Sequence, residues 1–118
     1  MAAGAPPIVF VHGTRFSAGQ WRPQLAALQE DFRVAAVDLP GHGARSAQPW
    51  SLKAATEIIA AAVDTLDGGP ALVVGHSLGG YASLEFARRC PERLRGLVLA
   101  GASASTRGPW ATPYRWVA

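Results

Sequence analysis

The stretch Gly75-His76-Ser77-Leu78-Gly79-Gly80 constrains this chain more than any other. It follows the apolar run Ala71-Leu72-Val73-Val74 and opens a segment with helical spacing, so it reads as a serine on a sharp strand-to-helix turn. A serine at such a corner takes a strained backbone conformation, and the positions two before and two after it have room for almost no side chain. Gly75 and Gly79 meet that demand, with Gly80 beside them. The hydroxyl then projects clear of the sheet, above the N-terminus of the next helix. The same six residues also fit a plainer turn whose serine only caps that helix.

The flanking chain narrows the choice. Ile8-Val9-Phe10-Val11 is a short β-branched run of the kind buried on both faces of a sheet, and it ends in His12-Gly13-Thr14. From Ser17 to Phe32 the residues Trp21, Leu25, Leu28 and Phe32 recur on one helical face. Arg33 to Val37 reads as a second buried strand, closed by Asp38-Leu39-Pro40-Gly41-His42-Gly43-Ala44-Arg45-Ser46. A second helix runs from an N-cap at Ser51 to about Asp67, with Leu52, Ala55, Ile59, Ala62 and Leu66 on its stripe and Gly68-Gly69-Pro70 stopping it. After the Ser77 turn, Leu78, Ala82 and Phe86 mark a third helix that ends at Cys90-Pro91, and Gly96 to Ala100 forms a fourth strand. Strands alternating with helices in this way imply right-handed βαβ units, hence an α/β fold with a parallel sheet between two helix layers.

Composition excludes several function classes. A chain of 118 residues is one small domain at most and buries about 65% of its unfolded surface. With 49% apolar and 16% charged residues it is globular, not disordered. The net charge is only +3 despite a pI of about 9.8. Every basic residue except Lys53 is arginine, scattered without a basic run, so no nucleic-acid partner is expected. The single Cys90 has no internal partner and reads as a packing residue. No leader or membrane-length apolar segment is visible, so the expected setting is cytoplasmic with no membrane contact. No cofactor or metal is expected either. Gly75-x-x-x-Gly79-Gly80 places Ser77 where a dinucleotide site needs glycine, and no Gly-Lys-Ser/Thr exists for a phosphate loop.

Taken together, strand–His-Gly-Thr, strand–Asp-Leu-Pro-Gly-His-Gly-x-x-Ser and strand–Gly-His-Ser-Leu-Gly-Gly resemble the N-terminal half of an α/β-hydrolase over residues 8 to about 102. The resemblance implies a three-layer sandwich around a parallel four-stranded sheet, ordered second, first, third, fourth. It implies that Ser77 is the nucleophile of an acyl-enzyme mechanism, seated on a nucleophile elbow. It further implies that the backbone N–H groups of Leu78 and Thr14, with Arg15 the next choice after Thr14, form the oxyanion hole. His12, Gly13, Asp38, Gly41, Gly43 and His76 then shape loops, and a small-molecule acyl substrate is the expected partner. Arg15 and Arg45 are solvated arginines or contacts for a substrate carboxylate.

The resemblance also exposes a gap. In the family order a serine nucleophile is followed by an acid and then a histidine. After Ser77 this sequence has no histidine and no aspartate, and its later acids, Glu85 and Glu92, lie in or beside the third helix. Residues 1–118 are therefore expected to be a single partial domain, a truncated α/β-hydrolase fold, with 103–118 either the start of a lid or a frayed tail. The runs Val34–Val37 and Leu97–Leu99 are expected to be bare apolar sheet edges, prone to aggregation or pairing. A non-catalytic binding or complementation module of the same fold stands as the alternative. An acyltransferase or a cofactor-free peroxidase is a third reading.

Overall fold

A computed structural model describes residues 5–101. Four strands, β1 (Ile8–Val11), β2 (Val34–Val37), β3 (Ala71–His76) and β4 (Leu94–Ala100), form one sheet in the order β2-β1-β3-β4, and every pairing is parallel. Val11 lies opposite Val37 on one side and Gly75 on the other. That register ends β1, β2 and β3 at one level, so their three following loops share one edge of the sheet. Side-chain alternation along the strands builds the layers. Val9, Val11, Val37, Ala71 and Val73 face α2 (Leu52–Leu66) and α3 (Leu78–Arg89), where Ala55, Ile59, Val63, Leu78, Ala82 and Phe86 complete one core. Ile8, Phe10, Leu72 and Val74 face the other way, onto Trp21, Leu25 and Leu28. The three-layer α/β arrangement read from the sequence is the one observed.

The first helical segment differs from expectation. Instead of one helix from Ser17 to Phe32, a 3-10 turn (Ala18–Trp21) precedes α1 (Arg22–Leu28). The cause is Pro23. An α-helix would ask residue 23 for an N–H to bond the Gly19 carbonyl, and proline has none. The Arg22 N–H takes that carbonyl instead, closing a 3-10 turn, and the α register restarts with proline in its first turn. Phe32 falls beyond the helix and packs on the smaller core.

Helix α2 starts where the sequence placed it, with the Ser51 Oγ accepting from the Ala54 N–H at 3.0 Å. Its buried stripe is Ala55, Thr56, Ile58, Ile59 and Val63, a shift from the expected one that leaves Ala62 and Leu66 half-buried. The helix ends at Leu66, as the sequence placed it to within a residue, with Asp67 as a left-handed cap (φ 48°) ahead of Gly68-Gly69-Pro70. Arg33 donates from Nη1 to the carbonyls of Asp67 at 2.7 Å and Leu66 at 3.3 Å, a cation against the negative end of the helix. Strand β4 begins two residues earlier than the expected Gly96. It is a sheet edge whose Val98 is 51% and Leu99 38% exposed. The tail 103–118, including Trp110, Tyr114 and Trp116, lies outside the described residues. Among the described residues no helix is long and apolar enough to cross a membrane.

Candidate active site

The turn from β3 into α3 is tight because α3 begins directly against the carboxyl end of β1. A Cβ at Gly75 would lie 2.5 Å from the Gly79 carbonyl oxygen and 2.6 Å from the Gly80 Cα. One at Gly79 would meet the Val11 carbonyl oxygen and come within 2.5 Å of the His12 carbonyl oxygen. These are backbone atoms of two different elements and cannot give way, so glycine is required at both positions. Between them Ser77 sits at φ 54°, ψ −116°, a conformation that costs an L-residue about 1–3 kcal/mol. The backbone around it is tied on both sides: its N–H donates to the Ala100 carbonyl at 2.9 Å, and its own carbonyl accepts from Gly80 and Tyr81 at 2.9 and 3.1 Å. The Ser77 side chain makes no capping hydrogen bond to α3, so the plainer helix-cap reading of this turn does not describe it.

Two loops flank this turn. His12 is wholly buried, and its Nε2 accepts from the Leu39 N–H at 2.9 Å. Its Nδ1 therefore carries the proton and donates to the Gly13 carbonyl at 2.8 Å. The imidazole is a neutral strut between the β1 and β2 loops, and burial is the main reason its pKa lies below the ordinary histidine value. In the β2 loop, burial alone would push the Asp38 carboxyl up. Hydrogen bonds from the N–H groups of Ala18 (2.8 Å) and Ala44 (3.1 Å) outweigh it and hold the carboxyl below its usual range. A Cβ at Gly43 (φ 52°) would run into that carboxylate. His42 donates from Nδ1 to the Pro40 carbonyl at 3.0 Å, and its ring centroid lies 5.0 Å from that of His12. Asp38 and both histidines are thus engaged in holding loops.

The β1 loop closes as a turn, the Phe16 N–H reaching the Gly13 carbonyl at 3.1 Å, with Arg15 at φ 68°. Thr14 and Arg15 are the two central residues of that turn. Arg15 and Phe16 are exposed, and Phe16 meets the His76 ring edge-on at a centroid distance of 6.1 Å. Leu78 is the first residue of α3, so its N–H has no intrahelical acceptor. The fold thus gathers the segments of Thr14, Ser77 and Leu78 at one sheet edge, with His12, Asp38 and the loop glycines beneath.

One residue here had no signal in the sequence. Gln20, on the 3-10 turn, accepts the Gly13 N–H on Oε1 at 3.0 Å and donates from Nε2 to the His76 Nδ1 at 2.9 Å. It lies on the polar side of the segment that carries Trp21, where a glutamine is unremarked. Of the acids after Ser77, Glu85 is bound to Arg88 and Arg89 on α3, and these hydrogen bonds bring its pKa down to about 2. Glu92 lies in the turn after α3. Neither follows a strand. Among the described residues no three His, Cys, Asp or Glu side chains group to hold a metal ion.

Comparison with known proteins fits this geometry. The sequence profile of the alpha/beta hydrolase family matches residues 8–118. The pimeloyl-[acyl-carrier protein] methyl ester esterase of Nitrosomonas europaea is 42% identical over 95 residues, covering 80% of this chain and 36% of that protein. The dihydrolipoyllysine-residue acetyltransferase component of the acetoin cleaving system of Pseudomonas putida is 40% identical over 98 residues, covering 81% of this chain and 26% of that one. A thermophilic esterase from Thermogutta terrifontis superposes with a TM-score of 0.82 at 32% identity, over 94% of this chain and 42% of its own. The chain therefore spans well under half the length of these relatives. An elbow-like β3–α3 corner at the third position of a β2-β1-β3-β4 parallel sheet, with this profile match across nearly its whole length, makes the chain a member of the alpha/beta hydrolase family.

Proposed function

We propose that this chain carries the nucleophile half of a serine hydrolase acting on a carboxylic ester, lactone, thioester or amide. The observation that carries the reading is the backbone of Ser77, held at φ 54° between two glycines that nothing larger can replace. In this reading the Ser77 Oγ adds to the acyl carbon and the N–H groups of Leu78 and Thr14 receive the oxyanion. The intermediate collapses to an acyl-enzyme as the leaving group departs. The serine proton needs a base and the base an orienting acid. We infer that these 118 residues are a fragment lacking both, since no histidine or aspartate follows Ser77. The cytoplasm is the proposed setting, in keeping with one unpaired cysteine.

The test is acylation by p-nitrophenyl acetate. We expect negligible turnover, because losing the triad base costs on the order of a million-fold in a serine hydrolase with the same triad on an unrelated fold. A slow, single acetyl adduct is expected on Ser77 by mass spectrometry, absent in Ser77→Ala and formed faster with free imidazole in the medium as a substitute base. Rapid Ser77-dependent turnover would overturn the fragment reading, and adducts spread over other side chains would overturn the nucleophile. Acyl transfer to an acceptor other than water is the second reading. It is favoured by the 40% identity to a protein described as an acetyltransferase component.

A further inference from the structure

We propose that Gln20 is a positioning residue that latches the Thr14 loop to the Ser77 turn and fixes the tautomer of His76. Three segments meet on its one planar amide. The Gly13 N–H bonds Oε1 at 3.0 Å, Nε2 bonds the His76 Nδ1 at 2.9 Å, and the residue itself rides on the 3-10 turn. Gly13 immediately precedes Thr14, and His76 immediately precedes Ser77. The latch therefore sets the spacing of the two segments in which the proposed nucleophile and one oxyanion donor reside.

The orientation of the amide follows from chemistry. A backbone N–H only donates, so the Gln20 oxygen faces Gly13 and its NH2 group faces His76. The His76 Nδ1 must then accept, and the neutral ring carries its proton on Nε2, the opposite tautomer to His12. The platform under Gln20 is firm. The Gln20 N–H bonds the Ser17 carbonyl at 2.9 Å, the Ala18 N–H bonds the Asp38 carboxylate at 2.8 Å, and the buried Trp21 ring packs against Phe10 with centroids 5.0 Å apart. The loop also approaches His76 too closely for any side chain at residue 13, where a Cβ would lie 2.7 Å from Nδ1. A displacement of about 0.5 Å matters to a site of this kind, which gives the latch its consequence for rate. That consequence rests on the nucleophile reading of Ser77, whereas the latch itself does not.

The experiment uses the 118-residue chain and needs no turnover. At about pH 8, where an imidazole is neutral, nitrogen-15 NMR should show the His76 Nδ1 unprotonated and Nε2 protonated. Gln20→Glu keeps an acceptor for the Gly13 N–H but has no donor for His76, so the ring proton should move to Nδ1 while Gly13 stays protected. Gln20→Leu removes both bonds, and hydrogen exchange at the Gly13 amide should rise about tenfold, the ratio an ordinary net hydrogen bond controls, with the Val73 amide of β3 unchanged. A glutamine with a merely structural role would alter exchange but not the tautomer. A wild-type His76 protonated on Nδ1, or a tautomer unmoved in Gln20→Glu, overturns the latch. So does Gly13 exchange within about twofold of wild type in Gln20→Leu. Should Gln20→Leu not fold, the near-isosteric Gln20→Glu still decides. Failure of Ser77 acylation with the His76 tautomer as stated would sink the nucleophile and leave the latch standing.

Discussion

Replacing His12 by leucine separates a buried neutral strut from a catalytic base, and its cost can be worked from two hydrogen bonds. Leucine keeps an apolar side chain in a site with no solvent exposure but deletes the acceptor for the Leu39 N–H, which lies on a wholly buried residue. An amide left without a partner there costs about 1–3 kcal/mol. The Gly13 carbonyl adds little, because the Phe16 N–H still reaches it at 3.1 Å. His12→Leu should therefore unfold at lower urea with an unchanged m-value, and His12→Gln, whose carbonyl can accept from Leu39, should recover part of the loss. Acid supplies a second signature. Burial, opposed by the bond to Gly13 and assisted by the field of His42, keeps the folded His12 pKa below 6.5. As the pH falls through about 6.5 the unfolded chain takes up a proton that the native chain refuses. Stability is complete above that pH and is lost below it, by up to about 1.4 kcal/mol per pH unit, until the folded pKa is reached. His12→Leu lacks this term, so the stability gap between the two proteins should narrow from about pH 7.5 to about pH 5. Urea unfolding followed by tryptophan fluorescence, to which buried Trp21 contributes, measures it. A gap that stays flat or widens on acidification refutes a neutral, desolvated His12.

Three further outcomes are expected. Ser77→Gly should be more stable than Ser77→Ala by about 1 kcal/mol, since the two differ only in a Cβ at positive φ; equal melting temperatures would remove the strain argument. Gly79→Ala, whose methyl would strike the Val11 and His12 carbonyls, should cost about 3 kcal/mol or more or abolish folding, whereas Gly69→Ala, with nothing within 4 Å, should cost only its left-handed penalty of about 1–2 kcal/mol. Comparable losses at both sites would count against the close approach of α3 to β1. The exposed apolar face of β4 is expected to drive concentration-dependent self-association, and Val98→Lys should suppress it in sedimentation; an unchanged association constant would exonerate that edge.

Much of this fold is legible in the residues because its rules are local. Short β-branched runs such as Ile8–Val11 are buried on both faces of a parallel sheet, and Ser51 caps α2 through a bond to an amide only three residues on. Local rules failed where two of them competed. The apolar spacing from Trp21 to Phe32 favoured one long helix, but the missing N–H of Pro23 reset the register. Arg33, distant in sequence, satisfies the last carbonyls of α2, a contact that no local rule could show.

The sequence by itself determined the α/β alternation, the glycines around Ser77 and the absence of a later histidine or aspartate, since each is a property of residue type and spacing. Tertiary structure alone decided what the polar side chains do. Whether His12 is a base or a strut depends on the Leu39 N–H, which is 27 residues away, and Gln20 acquires a role only by lying against His76, 56 residues away. A hydrogen bond is set by position in space, and the parallel register that levels the ends of β1, β2 and β3 supplies it.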